Sequence, residues 1–159
     1  MSEEMNLAHA KKTFAKLCSV LDNRNWNYEK DEEALRINCG AQGDDLPMDI
    51  VIKVDPSRMV IALLSKMPFK IQESARVDLA IAVSAVNYLL SDGSFDYDIT
   101  NGSLFFRMTN SFLESEMGED MFSYLLLSSC FIIDEYNDKF LMLAKGMMSV
   151  EQFISSINE

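Results

Sequence analysis

Apolar residues follow two different periods along the chain, and the changes between them predict its elements. Leu7, Ala10, Phe14, Leu17 and Leu21 recur at spacings of three and four, with Cys18 alongside. That spacing lines one face of a helix ending near Asp22-Asn23. The seam is too short for a coiled coil, so packing on a sheet is expected. From Trp26 to Ser65 the period becomes two. Trp26 and Tyr28 alternate with Asn27 and Glu29; Leu35, Ile37 and Cys39 with Arg36 and Asn38; Met48, Ile50, Ile52 and Val54 with Asp49 and Lys53. These are strands with one buried face. The run Arg58 to Ser65 is apolar on both sides, which predicts a strand covered twice. Asp55-Pro56-Ser57 predicts a tight turn before it, and Gly40 to Pro47 a looser loop.

A second helix is predicted from about Ile71 to Leu90. Glu73, Arg76, Ala80, Ser84, Asn87 and Ser91 share one narrow face, and beyond the first two turns nearly everything else is apolar. A helix lying on a sheet needs an apolar arc of roughly 100°. This one has more, so burial on two sides is expected. Residues 94 to 109 then read as a hairpin around Asn101-Gly102, the dipeptide that suits a two-residue type I′ turn. Such a turn sets Thr100 opposite Ser103, Ile99 opposite Leu104, Asp96 opposite Arg107 and Phe95 opposite Met108. One face is then Phe95, Tyr97, Ile99, Leu104, Phe106 and Met108. The wet face holds Asp96, Asp98, Phe105 and Arg107.

The last region is helical again. Phe122, Leu125, Leu126, Ser129, Ile132, Ile133, Tyr136, Phe140 and Leu143 form a core stripe on a helix from about Glu119 to Lys145, stopped by Gly146. Ser149 with Gln152 three residues on is a capping box for a short final helix. Tyr124, Leu127 and Phe131 lie on the side of the long helix away from its stripe. Either the short helix folds back over them or they face water.

Composition narrows the function. A chain of 159 residues, 48% hydrophobic, fits one domain with a core of useful size. The net charge of −11, from 25 acids and 14 bases, opposes nucleic acid and anionic membrane, both of which need clustered Lys and Arg. The start, Met1-Ser2-Glu3-Glu4, carries acid where a signal peptide needs base. The most apolar stretch, Tyr124 to Ile133, is half the ~20 residues a spanning helix needs. Cys18, Cys39 and Cys130 are odd in number and far apart, unlike a disulfide or zinc framework, and read as small core hydrophobes. A cytoplasmic protein is expected.

Chemistry has few candidates. His9 is the only histidine, and no nucleophile elbow or phosphate-cradling glycine loop occurs. Asp96 and Asp98 share a strand face and Asp44-Asp45 share a loop, but Arg107 opposite Asp96 predicts a salt bridge rather than a metal site. Asp134-Glu135-Tyr136-Asn137-Asp138 has the composition of a calcium loop without its glycine or spacing, and reads as a solvated helix face. No catalytic residue, metal or cofactor is expected. Charge distribution is more informative. Glu114 to Asp138 holds seven acids and no Lys, Arg or His. Apolar groups beside acids suit a basic, amphipathic partner segment. Eleven methionines suit either an adaptable core or an adaptable binding surface.

The element order, helix, strands, helix, hairpin, long helix and short helix, resembles the type III secretion chaperone-like fold. More narrowly it resembles the YbjN-like bacterial sensory transduction regulator family. The residues carrying the likeness are Phe95-Asp96-Tyr97-Asp98 and Asn101-Gly102-Ser103-Leu104-Phe105-Phe106-Arg107, with the apolar helix before them and the long helix after. It spans about residues 5 to 158. It implies an α+β domain with an antiparallel sheet packed on helices, often a homodimer, without catalysis or cofactor. Chaperones of this shape hold an extended stretch of a client. The expectation is therefore a non-catalytic protein-binding module. Its client would meet Tyr124, Leu127, Phe131, Glu135 and Asp138, with Phe105 as a second patch. A second copy would meet Ala80, Ser84 and Asn87. The alternative is a regulatory domain sensing a small molecule, which would need polar side chains converging in a pocket.

Overall fold

The computed structural model describes residues 3–158 and has the expected order of elements. Helix α1 (Glu3–Asn23) leads into strands β1 (Tyr28–Asp31), β2 (Arg36–Gln42), β3 (Pro47–Asp55) and β4 (Val60–Lys66). A 3₁₀ turn and helix α2 (Arg76–Leu89) follow, then β5 (Ser94–Asp98), β6 (Ser103–Ser111), α3 (Glu119–Ala144) and α4 (Val150–Ile157). The strands form one antiparallel sheet in the order β1-β2-β3-β4-β6-β5, so β6 returns beside β4 and leaves β5 at the edge. This is an α+β fold.

Strand alternation decides where the core sits. Ile37, Ile50, Ile52, Ile61, Leu63, Phe95, Leu104, Phe106 and Met108 are all buried on one sheet face. Phe14, Leu17 and Leu21 of α1 and Phe122, Leu125, Ile133 and Phe140 of α3 join the same core from the helical side. The helices therefore lie on that face, and the other is open. The expectation of double cover for β4 fails for this reason: Val60, Ala62 and Leu64 point to the open face and are only half-buried. Leu7, expected in the α1 seam, is exposed one turn beyond the sheet contact.

Three hairpin loops share one device that the sequence reading missed. Each has four residues, follows an Asp at a strand end, and closes on a left-handed residue. The Asp31 carboxylate accepts from the Glu33 and Ala34 amides, and Leu35 follows at φ 49°. Asp55 accepts from the Ser57 amide and hydroxyl and the Arg58 amide, and Met59 follows at φ 53°. Asp98 accepts from the Thr100 amide and hydroxyl and from the Asn101 side chain, and Gly102 follows at φ 74°. An Asp side chain bonded to amides two and three residues on favours such a turn. Leu35 and Met59 tolerate the strained conformation while burying their side chains.

That device corrects the β5–β6 hairpin. Its loop is Ile99 to Gly102, because Asp98 captures the loop and Asn101 does not have the positive φ that type I′ demands. The register moves by two: Phe95 faces Phe106, Asp96 faces Phe105 and Ser94 faces Arg107. A shift of two keeps every side chain on its expected face. Ile99 is lost from the core and lies in the loop, 46% exposed. The expected ion pair survives as a diagonal, with Arg107 Nε 2.6 Å from Asp96 Oδ2.

Helix ends behave locally. Gly146, at φ 70°, donates to the Leu143 carbonyl and Met147 to Met142, which closes α3. Both halves of the Ser149–Gln152 capping box form. Phe153 of α4 stacks on Phe140 at 5.3 Å, and Phe140 meets Phe95 edge-on at 5.0 Å. This anchors α4 against α2 and α3.

Candidate functional site

The position of α4 settles what covers the far side of α3. Tied down by Phe153, it leaves Tyr124 50%, Leu127 43% and Phe131 71% exposed. Spacings of three, four and seven put these residues in one stripe along the outside of α3. Beside them the end of α2, with Leu89 and Leu90, forms the second wall of a groove of about 460 Å³. Acids stand at both ends. The Tyr124 hydroxyl donates to Asp92, and that hydrogen bond, followed by the carboxylate's negative charge, raises the phenol's pKa by opposing its ionisation. At the other end lie Glu135 and Asp138. Glu135 is paired with Lys139 at 3.0 Å, the first base after the acidic run, so its charge is partly offset.

Not all of that run is solvated. Asp134 reaches the loop between β2 and β3, where its Oδ1 accepts from the Asp44 amide at 2.9 Å. Gly43 lies against the same carboxylate, so closely that a Cβ there would push it from its place. Asn137, read as part of a wet helix face, is 1% exposed, and neither amide atom has a hydrogen-bond partner among the described residues. It follows Ile133 by four and precedes Phe140 by three, a core position that its polarity disguised.

Helix α2 contributes a second apolar groove. Its excess arc is shared among the chain's own α4, α3 and β5, yet Tyr88 remains 89% exposed and Val77 and Ile81 remain in water. Ala80 and Ser84 line a groove of about 720 Å³ with Ile154 and Ile157 of α4. Leu89 lines both grooves, which makes them neighbours. Asn87 has a different task. Its amide donates to the Phe95 carbonyl at 2.9 Å and accepts from the Phe95 amide at 2.8 Å. The side chain thus occupies backbone groups on the free edge of β5, and Asn87 is not among the residues that line the groove with Ala80 and Ser84.

Phe105 is not brought to these grooves. The α3 hydroxyl of Ser129 approaches Met108 of β6 at 3.6 Å, so α3 lies on the Met108 face, and Phe105 points the opposite way. It lines a depression with Arg36, Lys53 and Lys66, and the one acid directly opposite it, Asp96, is paired with Arg107.

Reactive chemistry is sparse. His9 meets Phe112 edge-on at 5.4 Å, a packing contact. The three cysteines are free thiols, and burial raises all their pKa values, to about 11 for Cys39 and Cys130. They are weak nucleophiles at neutral pH. Among the described residues no three His, Cys, Asp or Glu side chains converge as metal ligands. No helix among them is long and apolar enough to cross a membrane.

No family model matches the chain, and no curated protein matches it. Solved structures do. YbjN from E. coli, described as a candidate transcription regulator, superposes with a TM-score of 0.56 at 16% identity, covering 79% of this chain and 91% of its own. A chain from the HopA1–SchA chaperone–effector complex superposes with a TM-score of 0.54 at 12% identity, covering 84% of this chain and 97% of its own. The chain therefore has the fold shared by YbjN and that chaperone–effector chain, as the order of its elements led us to expect.

Proposed function

We propose that this chain is a single-domain, non-catalytic protein-binding module that seats a basic, amphipathic client segment in the α2–α3 groove. One observation carries the reading: Phe131 is 71% exposed on a helix whose opposite face is completely buried. Leaving a large apolar side chain in water forfeits about 1.5–3 kcal/mol relative to burying it. Tyr124 and Leu127 extend the same stripe, and Asp92, Glu135 and Asp138 give its ends negative charge. The groove is open, and its polar groups lie toward the Asp92 end, where the Tyr124 hydroxyl is already bonded to that carboxylate, while Leu89, Leu90, Leu127, Phe131 and Ile132 make the rest apolar. That a neighbour in fold comes from a chaperone–effector complex is consistent with this reading by analogy.

A second copy is the occupant we assign to the α2–α4 groove, through Ala80 and Ser84, whose small side chains allow close approach in a two-fold contact. Light scattering on a size-exclusion column tests this, and a monomer at micromolar concentration refutes it.

The client site is tested by comparing melting with capture of a native partner. Phe131→Ala should abolish capture and leave the melting temperature nearly unchanged, since aromatic anchors at such sites contribute about 2 kcal/mol or more. Reversing Glu135 and Asp138 to Lys should weaken capture mainly at low salt. A Phe131→Ala protein that melts many degrees lower yet still captures its partner would remove the site.

A further inference from the structure

The open sheet face carries a feature opposite in charge to everything described so far. Three strands, β3, β4 and β6, bring Val51, Leu64 and Phe105 together as a half-buried apolar centre. Arg36, Lys53 and Lys66 surround it, lining a depression of about 490 Å³ in which no acid takes part. The register places Arg36 directly opposite Lys53, and Lys66 directly opposite Phe105. None of these three bases has an ion-pair partner among the described residues.

This is an unexpected place to find them. The chain has 25 acids and only 14 bases, so acids are plentiful as partners. Like charges directly opposed on neighbouring strands repel, and here the pair is flanked by a third base across the apolar centre. Acids that share the face are committed elsewhere: Asp31 and Asp55 to their turn amides, Asp96 to Arg107. Glu29 and Asp49 also lie on it, and neither forms an ion pair among the described residues. An anion between Arg36 and Lys53 would turn their repulsion into two attractions.

We propose that this depression docks an acidic protein segment bearing apolar side chains, a partner distinct in charge and in place from the client of the α2–α3 groove. Carboxylates would meet Arg36, Lys53 and Lys66 while an aliphatic or aromatic side chain covers Val51, Leu64 and Phe105. A nucleic acid is the less suited anion. The centre is mainly aliphatic, with Phe105 its single stacking ring.

The test uses the full chain and four fluorescent probes: a short peptide alternating Glu with Leu and Phe, the same peptide with Lys for Glu, an all-Glu peptide, and a single-stranded DNA oligomer. The Glu–Leu–Phe peptide should bind best, and more weakly as salt rises. The double variant Lys53→Glu, Lys66→Glu should lose about tenfold or more in affinity, the loss expected from removing charged hydrogen bonds. Lys53→Glu also relieves the clash with Arg36, so this variant should melt no lower than the parent, which separates lost binding from lost fold. Phe131→Ala, in the other groove, should bind the peptide as the parent does. The proposal is overturned if the Lys peptide binds as well, if the all-Glu peptide or the DNA binds better, if the charge reversal leaves binding intact, or if Phe131→Ala removes it.

Discussion

Two glycines with nearly the same backbone conformation should respond very differently to a methyl group. Gly102 sits at φ 74° and Gly146 at φ 70°, both in the left-handed region. An alanine in that region costs about 1–2 kcal/mol, partly offset by about 0.4–1 kcal/mol from a less mobile unfolded chain. Those contributions are common to both sites. Surroundings are not. A Cβ at Gly146 meets nothing within 4 Å, whereas at Gly102 it would lie 2.5 Å from the Ile71 carbonyl oxygen, which is backbone and cannot swing aside. Relief requires the Ile71 segment to move from the hairpin. That movement breaks the Ile71 amide bond to the Gly102 carbonyl at 3.3 Å and strains the Arg76 bond to Thr100 at 2.7 Å. Losing one neutral hydrogen bond and weakening one charged bond amounts to about 1–3 kcal/mol. Gly146→Ala is therefore expected to cost about 1.5 kcal/mol or less, and Gly102→Ala about 1–3 kcal/mol more. Urea denaturation followed by circular dichroism, with the slope checked for constancy, measures both. Equal losses, or a larger loss at Gly146, would show that the hairpin does not abut Ile71 as described.

Three further outcomes follow from buried and turn groups. Asn137→Leu should stabilise the protein by about 1–3 kcal/mol, because two unpaired buried polar atoms are replaced by an apolar side chain of similar size; a loss in urea melts would mean the amide is satisfied. Asp55 is held below its usual carboxylate pKa, first by the Ser57 hydroxyl and then by the Arg58 and Ser57 amides. A depressed folded pKa adds stability present above the unfolded value of 3.8 and lost as pH falls through the folded value. The stability gap between parent and Asp55→Ala should thus be full near neutrality and close in strong acid; a gap independent of pH refutes the ionic turn. Finally, Cys39 and Cys130, with pKa values of about 11, should alkylate about a hundredfold more slowly than a free thiol at mildly alkaline pH, read by mass spectrometry. Rapid labelling of the folded protein contradicts their burial.

Whatever depends on neighbours along the chain was legible in the residues alone. A capping box needs only Ser149 and Gln152, and a helix stop needs only Gly146, so both stand where expected. Strand faces were readable because alternation has period two, and even the mistaken β5–β6 register left Phe95, Phe106 and Met108 inside. The turns were legible too, in principle. Asp31, Asp55 and Asp98 each precede a left-handed residue by four, a spacing more telling than Asn101-Gly102 alone. What required the tertiary structure was every question of which surfaces meet. Pattern alone cannot place α4 against Phe140 rather than over Phe131, since both α3 faces offer apolar side chains and only the packed volume chooses between them. It cannot bury Asn137, whose polarity argues for water until the packed core encloses it. Nor can it gather Arg36, Lys53 and Lys66 around Phe105, because residues on separate strands become neighbours only when β6 pairs with β4.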